Sequence, residues 1–181
     1  MIRLQFSRST ELVSLLIAKA CRSQFSHVDA VLEDGNLLGA SDSPNAPCIA
    51  GNPGGVAIRP PNYQPFAIRR IAHVYVPQRV ETRFYDLLHS QLGEPFDNSA
   101  MHAVFSGNIS DPRDWKDESA WFCSELKAWC LEEAGALDVP PLISKNRVTP
   151  PDLLLIISHL VSNAETFWLP IPHLVLGANE K

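Results

Sequence analysis

The stretch Trp121-Phe122-Cys123-Ser124-Glu125-Leu126-Lys127-Ala128-Trp129-Cys130 decides how this chain is read. Its apolar spacing continues to Ala134 and is stopped by Gly135, which predicts a strongly apolar helix over residues 120–134. Cys123 falls in the first turn of that helix. There the macrodipole and the unpaired backbone N–H groups favour an anion, which makes a thiolate available. The same N–H groups can stabilise an oxyanion formed beside the sulfur. The competing reading of Cys123 is a small buried hydrophobe, the commoner fate of a free cysteine. Cys130 lies two turns further on, inside the helix, where packing is the expected role. Cys21 and Cys48 have no special context. The four cysteines form neither CxxC pairs nor Cys/His ligand spacing, so no disulfide framework and no metal site are expected.

A thiolate nucleophile needs an imidazole, and of the six histidines His27 is best placed. It opens the predicted strand Phe25–Leu32, ahead of Asp34-Gly35, the strongest hairpin signal in the chain, and the return strand Asn36–Ala40. A histidine at a strand end can be held rigidly against a cleft, as general-base work requires. His73 sits mid-strand and is read as packing. His89, His102, His159 and His173 are read as helix-surface or loop residues.

Working outward, Ile2–Phe6 alternates as a strand. Ser9 or Thr10 is placed to cap a helix through Cys21, with Leu12, Leu15 and Leu16 at helical spacing. Residues 43–65 hold six prolines of the chain's 15, and read as an irregular loop bordering a cleft, with one short strand at Val56–Arg59. Ala67–Val76 predicts a long strand, Val80–Leu92 an amphipathic helix, and Ser99–Phe105 a short helix. Ser106–Lys116 reads as loop, Pro150-Pro151 as a helix start, and Phe167–Leu176 as an edge strand. Tyr63, Trp115 and Trp121 are read as core or as cleft wall. The Gly54-Gly55 pair is too isolated to be a phosphate loop. The expected architecture is α+β in a single domain spanning residues 1–181.

Composition narrows the class further. The chain has 181 residues, 45% of them hydrophobic, with 19% charged and a net charge of −5. That is too apolar for disorder, and without a Lys/Arg cluster it carries no nucleic-acid footprint. No apolar run reaches the ~18 residues of a membrane span. The N-terminus shows no export signal, so a cytoplasmic location is expected, with phage or other non-classical delivery as the route to any outside target.

Three segments carry a family resemblance. Phe122-Cys123-Ser124-Glu125-Leu126, with Ala134-Gly135 ending the helix, resembles the nucleophile helix of the NlpC-type papain-like cysteine hydrolases. Ser26-His27-Val28, followed by Asp34-Gly35, is similar to their histidine strand and hairpin. Leu92-Gly93-Glu94-Pro95-Phe96-Asp97 resembles the turn that precedes their cysteine helix. His27 precedes Cys123, which is the order of the circularly permuted, YiiX-like and YaeF-like branch. The resemblance runs from about Ile2 to Leu153. It implies a permuted papain-like fold with an antiparallel sheet packed against the nucleophile helix. It also implies a cysteine amidase or peptidase acting through an acyl-enzyme on a small peptide or other amide, with no metal or organic cofactor. Lipid acyl transfer and a non-catalytic module that keeps the fold are the alternatives.

The resemblance also assigns roles. A third polar residue is expected twelve positions after the histidine, where this chain has Gly39. A two-residue hairpin loop would put Asp42 opposite His27, and a three-residue loop would put Ser41 there. Opposite residues share a face, so either can orient the imidazole, with Asp42 slightly preferred because its charge would stabilise imidazolium. Asp29, on the same face as His27, is a weaker candidate. Phe96 stands where the family has Tyr, which leaves oxyanion binding mainly to backbone donors. Asp97 matches the family's Asp and is expected either to bind a substrate amine or to cap a helix. Glu125 is read as structural, an acidic residue favoured by the first turn.

Overall fold

The computed structural model describes residues 1–105, 119–137 and 148–165. The predicted loop 106–116 with Trp115, the predicted strand 167–176 and His173 lie outside the described residues.

Strand β1 (Ile2–Ser9) is built on alternation. Ile2, Leu4 and Phe6 face one side, and the register sets them beside Val28 and Ala30 of β2 (His27–Val31) and Ala72 and Val74 of β6 (Phe66–Val74). All of these are buried apolar residues of one core. The other face of the same strands is polar: Gln5 pairs with Asp29 and Ser7 with His27. Gln5, Ser7 and Asp29 are nonetheless buried. A strand buried on both faces normally reads as continuously apolar. Of this polar set, Asp29 is engaged with His27 and Tyr63, while Gln5 Nε2 and Ser7 Oγ have no hydrogen-bond partner among the described residues.

The remaining strands are β3 (Leu37–Ala40), β4 (Ala50–Gly51) and β5 (Val56–Arg59), and the sheet runs β4-β5-β3-β2-β1-β6 with every pair antiparallel. The Pro-rich stretch thus contributes two short strands rather than one. The hairpin between β2 and β3 has a three-residue loop: Leu32 N–H donates to Asn36 O at 2.8 Å, and Gly35 takes a φ of +84°. Such a loop needs a left-handed residue, which glycine supplies at no steric cost.

Five helices complete the described residues: α1 (Leu12–Ala20), α2 (Gln78–Ser90), α3 (Asn98–Phe105), α4 (Cys123–Glu133) and α5 (Pro150–Glu165). Helix α2 buries Val80, Phe84 and Leu88, four residues apart on one stripe. Helix α4 packs against β2, β3 and α2, and buries Leu126, Cys130 and Leu131. Helix α1 differs from expectation. Its buried residues are Ile17 and Ala18, while Leu12 is 70% exposed, and Leu15 and Leu16 are exposed as well. No described helix is long and apolar enough to cross a membrane.

Candidate active site

Cys123 is the first residue of α4. The turn before the helix is pinned from both sides. Trp121 N–H donates to Pro95 O at 3.0 Å, and Asp97 N–H donates to Trp121 O at 3.0 Å. Two of the motifs singled out in the sequence, the 92–97 turn and the Cys123 helix, are thus joined by backbone hydrogen bonds. Glu125 accepts from Phe122 N–H at 3.4 Å and so serves the helix start. Cys123 is 1% exposed, yet it lines a cleft of about 190 Å3 together with His27, Ser41, Asp42, Phe96 and Phe122.

His27 lines the same cleft, near enough to Cys123 that the sulfur's charge bears on the ring. The ring has two further neighbours. Its Nε2 stands 3.0 Å from Asp29 Oδ1 and 3.1 Å from the Tyr63 hydroxyl, which in turn donates to Asp29 Oδ2 at 3.1 Å. Burial by itself would lower the His27 pKa. The charge of Asp29, then that of Cys123, outweighs it and lifts the imidazole to about 10. Burial acts on Asp29 in the opposite sense, and the His27 charge overrides it to hold the carboxyl below its usual range.

The carboxylate against His27 is therefore Asp29, not Asp42. The register explains the difference. Ala30 pairs with Leu38 and Val31 with Leu37, and continuing that register sets Asp29 opposite Gly39 and His27 opposite Ser41. Ser41 is buried beside His27 in the cleft, while Asp42 lies one residue out of register at the cleft wall. Gly39, the position without a side chain, has a use here. A Cβ built on it would come 2.2 Å from Asp29 Oδ1 and 3.2 Å from Lys127 Nζ. The absence of a side chain at position 39 leaves that place to the Asp29 carboxylate.

Asp97 does not line the cleft. It is 1% exposed and its Oδ1 accepts from Ala100 N–H at 2.9 Å, which makes it the cap of α3. Phe96 packs its ring against Phe122, with centroids 5.7 Å apart. Cys130 is sealed in the core, and burial pushes its thiol up to about 12. Cys21 is pushed up to about 11, first by burial and then by Asp152.

Three further groups were not singled out as site residues in the sequence. Tyr63 is buried, and its hydroxyl belongs to the His27–Asp29 pair rather than to a cleft wall. Arg59 is fully buried and donates to the carbonyls of Gly39, Pro53 and Gly55 at 2.8 to 2.9 Å, with its guanidinium 5.4 Å from the centre of the Tyr63 ring. Lys127 is fully buried one helical turn after Cys123. The signal for Lys127 was faint: it lies four residues after Cys123, the spacing that shares a helix face.

Among the described residues, no group of three or more His, Cys, Asp or Glu side chains is placed to hold one metal ion. The donors nearest to such a set, His27 and Asp29, are engaged with each other.

No known family's sequence profile matches this chain, and no curated protein does. Among solved structures it is similar in fold to the metalloprotein YiiX from Escherichia coli O157:H7, a DUF1105 protein. The identity is 14% and the TM-score 0.50, over 97% of this chain and 87% of that one. A likeness at that identity speaks for the shared fold alone.

Proposed function

We propose that this chain is a cysteine-dependent hydrolase of the circularly permuted papain-like type, cleaving an amide of a small peptide or similar substrate. One observation carries the reading: Cys123 opens a helix and shares a cleft with a histidine whose Nε2 lies 3.0 Å from a buried carboxylate. The fold likeness to YiiX agrees with the permuted branch, and the order of His27 before Cys123 does too.

In this reading His27 Nε2 is occupied by Asp29 and Tyr63, so proton exchange with the sulfur falls to Nδ1. With the His27 pKa raised to about 10, the pair rests as imidazolium, its proton on Nδ1, and thiolate, and the thiolate attacks the substrate carbonyl. The oxyanion forms beside the first turn of α4, whose backbone N–H groups have no intrahelical acceptor. The tetrahedral species collapses to a thioester as His27 protonates the leaving amine. Water, deprotonated by His27, then releases the acid and regenerates the thiol. Asp29 keeps the ring oriented and stabilises imidazolium throughout. The cleft wall, with Ser14, Ser26, Ser41, Asp42 and Gln64, suits a polar substrate.

Acyl transfer on a lipid is the second reading, and α1 is what favours it: Val13 lines the cleft while Leu12, Leu15 and Leu16 of the same helix face solvent.

The test compares a thiol-reactive activity probe on wild type, Cys123→Ala and His27→Ala at neutral pH. Labelling that needs both residues supports the hydrolase. Equal labelling of wild type and His27→Ala would sink it. Soluble peptide amides and acyl lipid vesicles as competitors separate the two substrate classes.

A further inference from the structure

We infer that Lys127 is a positioning residue of this site, a buried ammonium beside Gly39 whose charge keeps Asp29 ionised against His27 and favours the thiolate of Cys123. The inference rests on the hydrolase reading and deepens it.

Four observations converge. Lys127 is fully buried, and its Nζ has no hydrogen-bond partner among the described residues. It projects from the same helix as the nucleophile, one turn further on. Asp29 Oδ1 takes the place where a side chain at position 39 would begin, and Lys127 Nζ lies 3.2 Å from that place. The place is free for the carboxylate only because residue 39 is glycine.

A buried ammonium without hydrogen bonds is unfavourable, and a methionine of similar length would fill the space without that cost. What the charge gains is interaction with the anions around it. The groups that face it or the sulfur are Cys123 and Cys130 on α4, His27 and Asp29 on β2, Arg59 on β5, Tyr63 after β5, and Cys21 after α1, with Glu11 and Asp42 at the cleft mouth. Arg59 is committed to backbone carbonyls, which leaves Lys127 as the cation of the set whose Nζ has no hydrogen-bond partner among the described residues. With Cys123 as thiol and His27 neutral, the buried charges are Asp29 against Lys127 and Arg59, one excess positive charge. Transfer of the Cys123 proton to His27 places the new negative charge on the sulfur, one turn from Lys127. Burial lowers the Lys127 pKa and the Asp29 charge counters it, so the ammonium depends on the carboxylate that it holds.

The experiment follows carboxyamidomethylation of Cys123 by iodoacetamide against pH, by intact mass, in wild type, Lys127→Met and Lys127→Arg, with thermal unfolding of each. Wild type is expected to reach half its limiting rate well below the ordinary thiol value of ~8.5. Lys127→Met is expected to move that half-rate pH up by about one unit, roughly a tenfold slower reaction at neutral pH, without a lower melting temperature. Lys127→Arg is expected to stay near wild type. Should Lys127→Met not fold, Lys127→Gln takes its place. An unchanged pH profile in the neutral variant would overturn the inference, as would an equal shift in Lys127→Arg. A wild-type half-rate near 8.5 would overturn the hydrolase reading itself, which keeps the two failures distinct.

Discussion

Asp29 Oδ1 lies 3.0 Å from His27 Nε2, and the two side chains leave the same strand on the same face, two residues apart. One strand thus supplies both the imidazole and the carboxylate of the proposed site. Replacing Asp29 with Asn should keep the shape but lose the charge and the tautomer that it enforces. Labelling of Cys123 by an activity probe should fall by about 10²-fold or more. Asp42→Asn, at the cleft wall, should change it by no more than about twofold. Matched probe assays on the two variants check this, and a larger loss in Asp42→Asn would reverse the assignment.

Gly39→Ala places a methyl where Asp29 Oδ1 stands, at 2.2 Å. Either the carboxylate or the strand must move. Unfolding in urea should show a loss of about 1–3 kcal/mol. In addition, the remaining folded protein should label poorly. Full labelling by a stable Gly39→Ala protein would mean that Asp29 does not need that space.

Tyr63→Phe removes the hydroxyl that bridges His27 and Asp29 but keeps the ring against Phe66 and Arg59. A hydrogen bond of this kind contributes ~1 kcal/mol, so the labelling rate should drop roughly fivefold. Circular dichroism should stay unchanged.

The pH dependence of stability has a definite sign. The folded His27 pKa is raised from 6.5 to about 10, so its contribution is fully present below 6.5 and is lost as pH rises toward 10. Asp29 works at the other end: its folded pKa is lowered, so its contribution is present above the usual carboxyl value and is lost as pH falls below it. The urea midpoint of wild type should therefore fall between pH 6.5 and 10 more steeply than that of His27→Ala. Parallel curves would contradict the ion pair.

Asp97→Ala should cost about 1 kcal/mol of stability through the lost cap of α3. Its reactivity per folded molecule should match wild type. A rise in apparent KM for an amine-bearing substrate would instead restore the substrate role expected from the sequence.

Much of the fold was legible because its signals are local. The alternation of β1, the three-residue stripe of α2, the Asp34-Gly35 hairpin and Cys123 at a helix start are all set by neighbours within a few positions. What was not legible depended on register and burial. One extra residue in the hairpin loop moves the partner of His27 from Asp42 to Ser41, and spacing cannot count that residue. Gly39 read as a missing side chain, since the sequence cannot show that Asp29 reaches across into its place. Lys127 and Arg59 are charged, hence expected at the surface. Conversely, Leu12, Leu15 and Leu16 have the spacing of a core helix, yet α1 meets the rest of the protein through Ile17 and Ala18.

Because His27 and Asp29 share β2, a motion between elements displaces them together, whereas Cys123 rides on α4. A shift of α4 against β2 would therefore leave the Asp29 share of the His27 pKa in place and remove only the Cys123 share, so the His27 titration reports on the seam between helix and sheet.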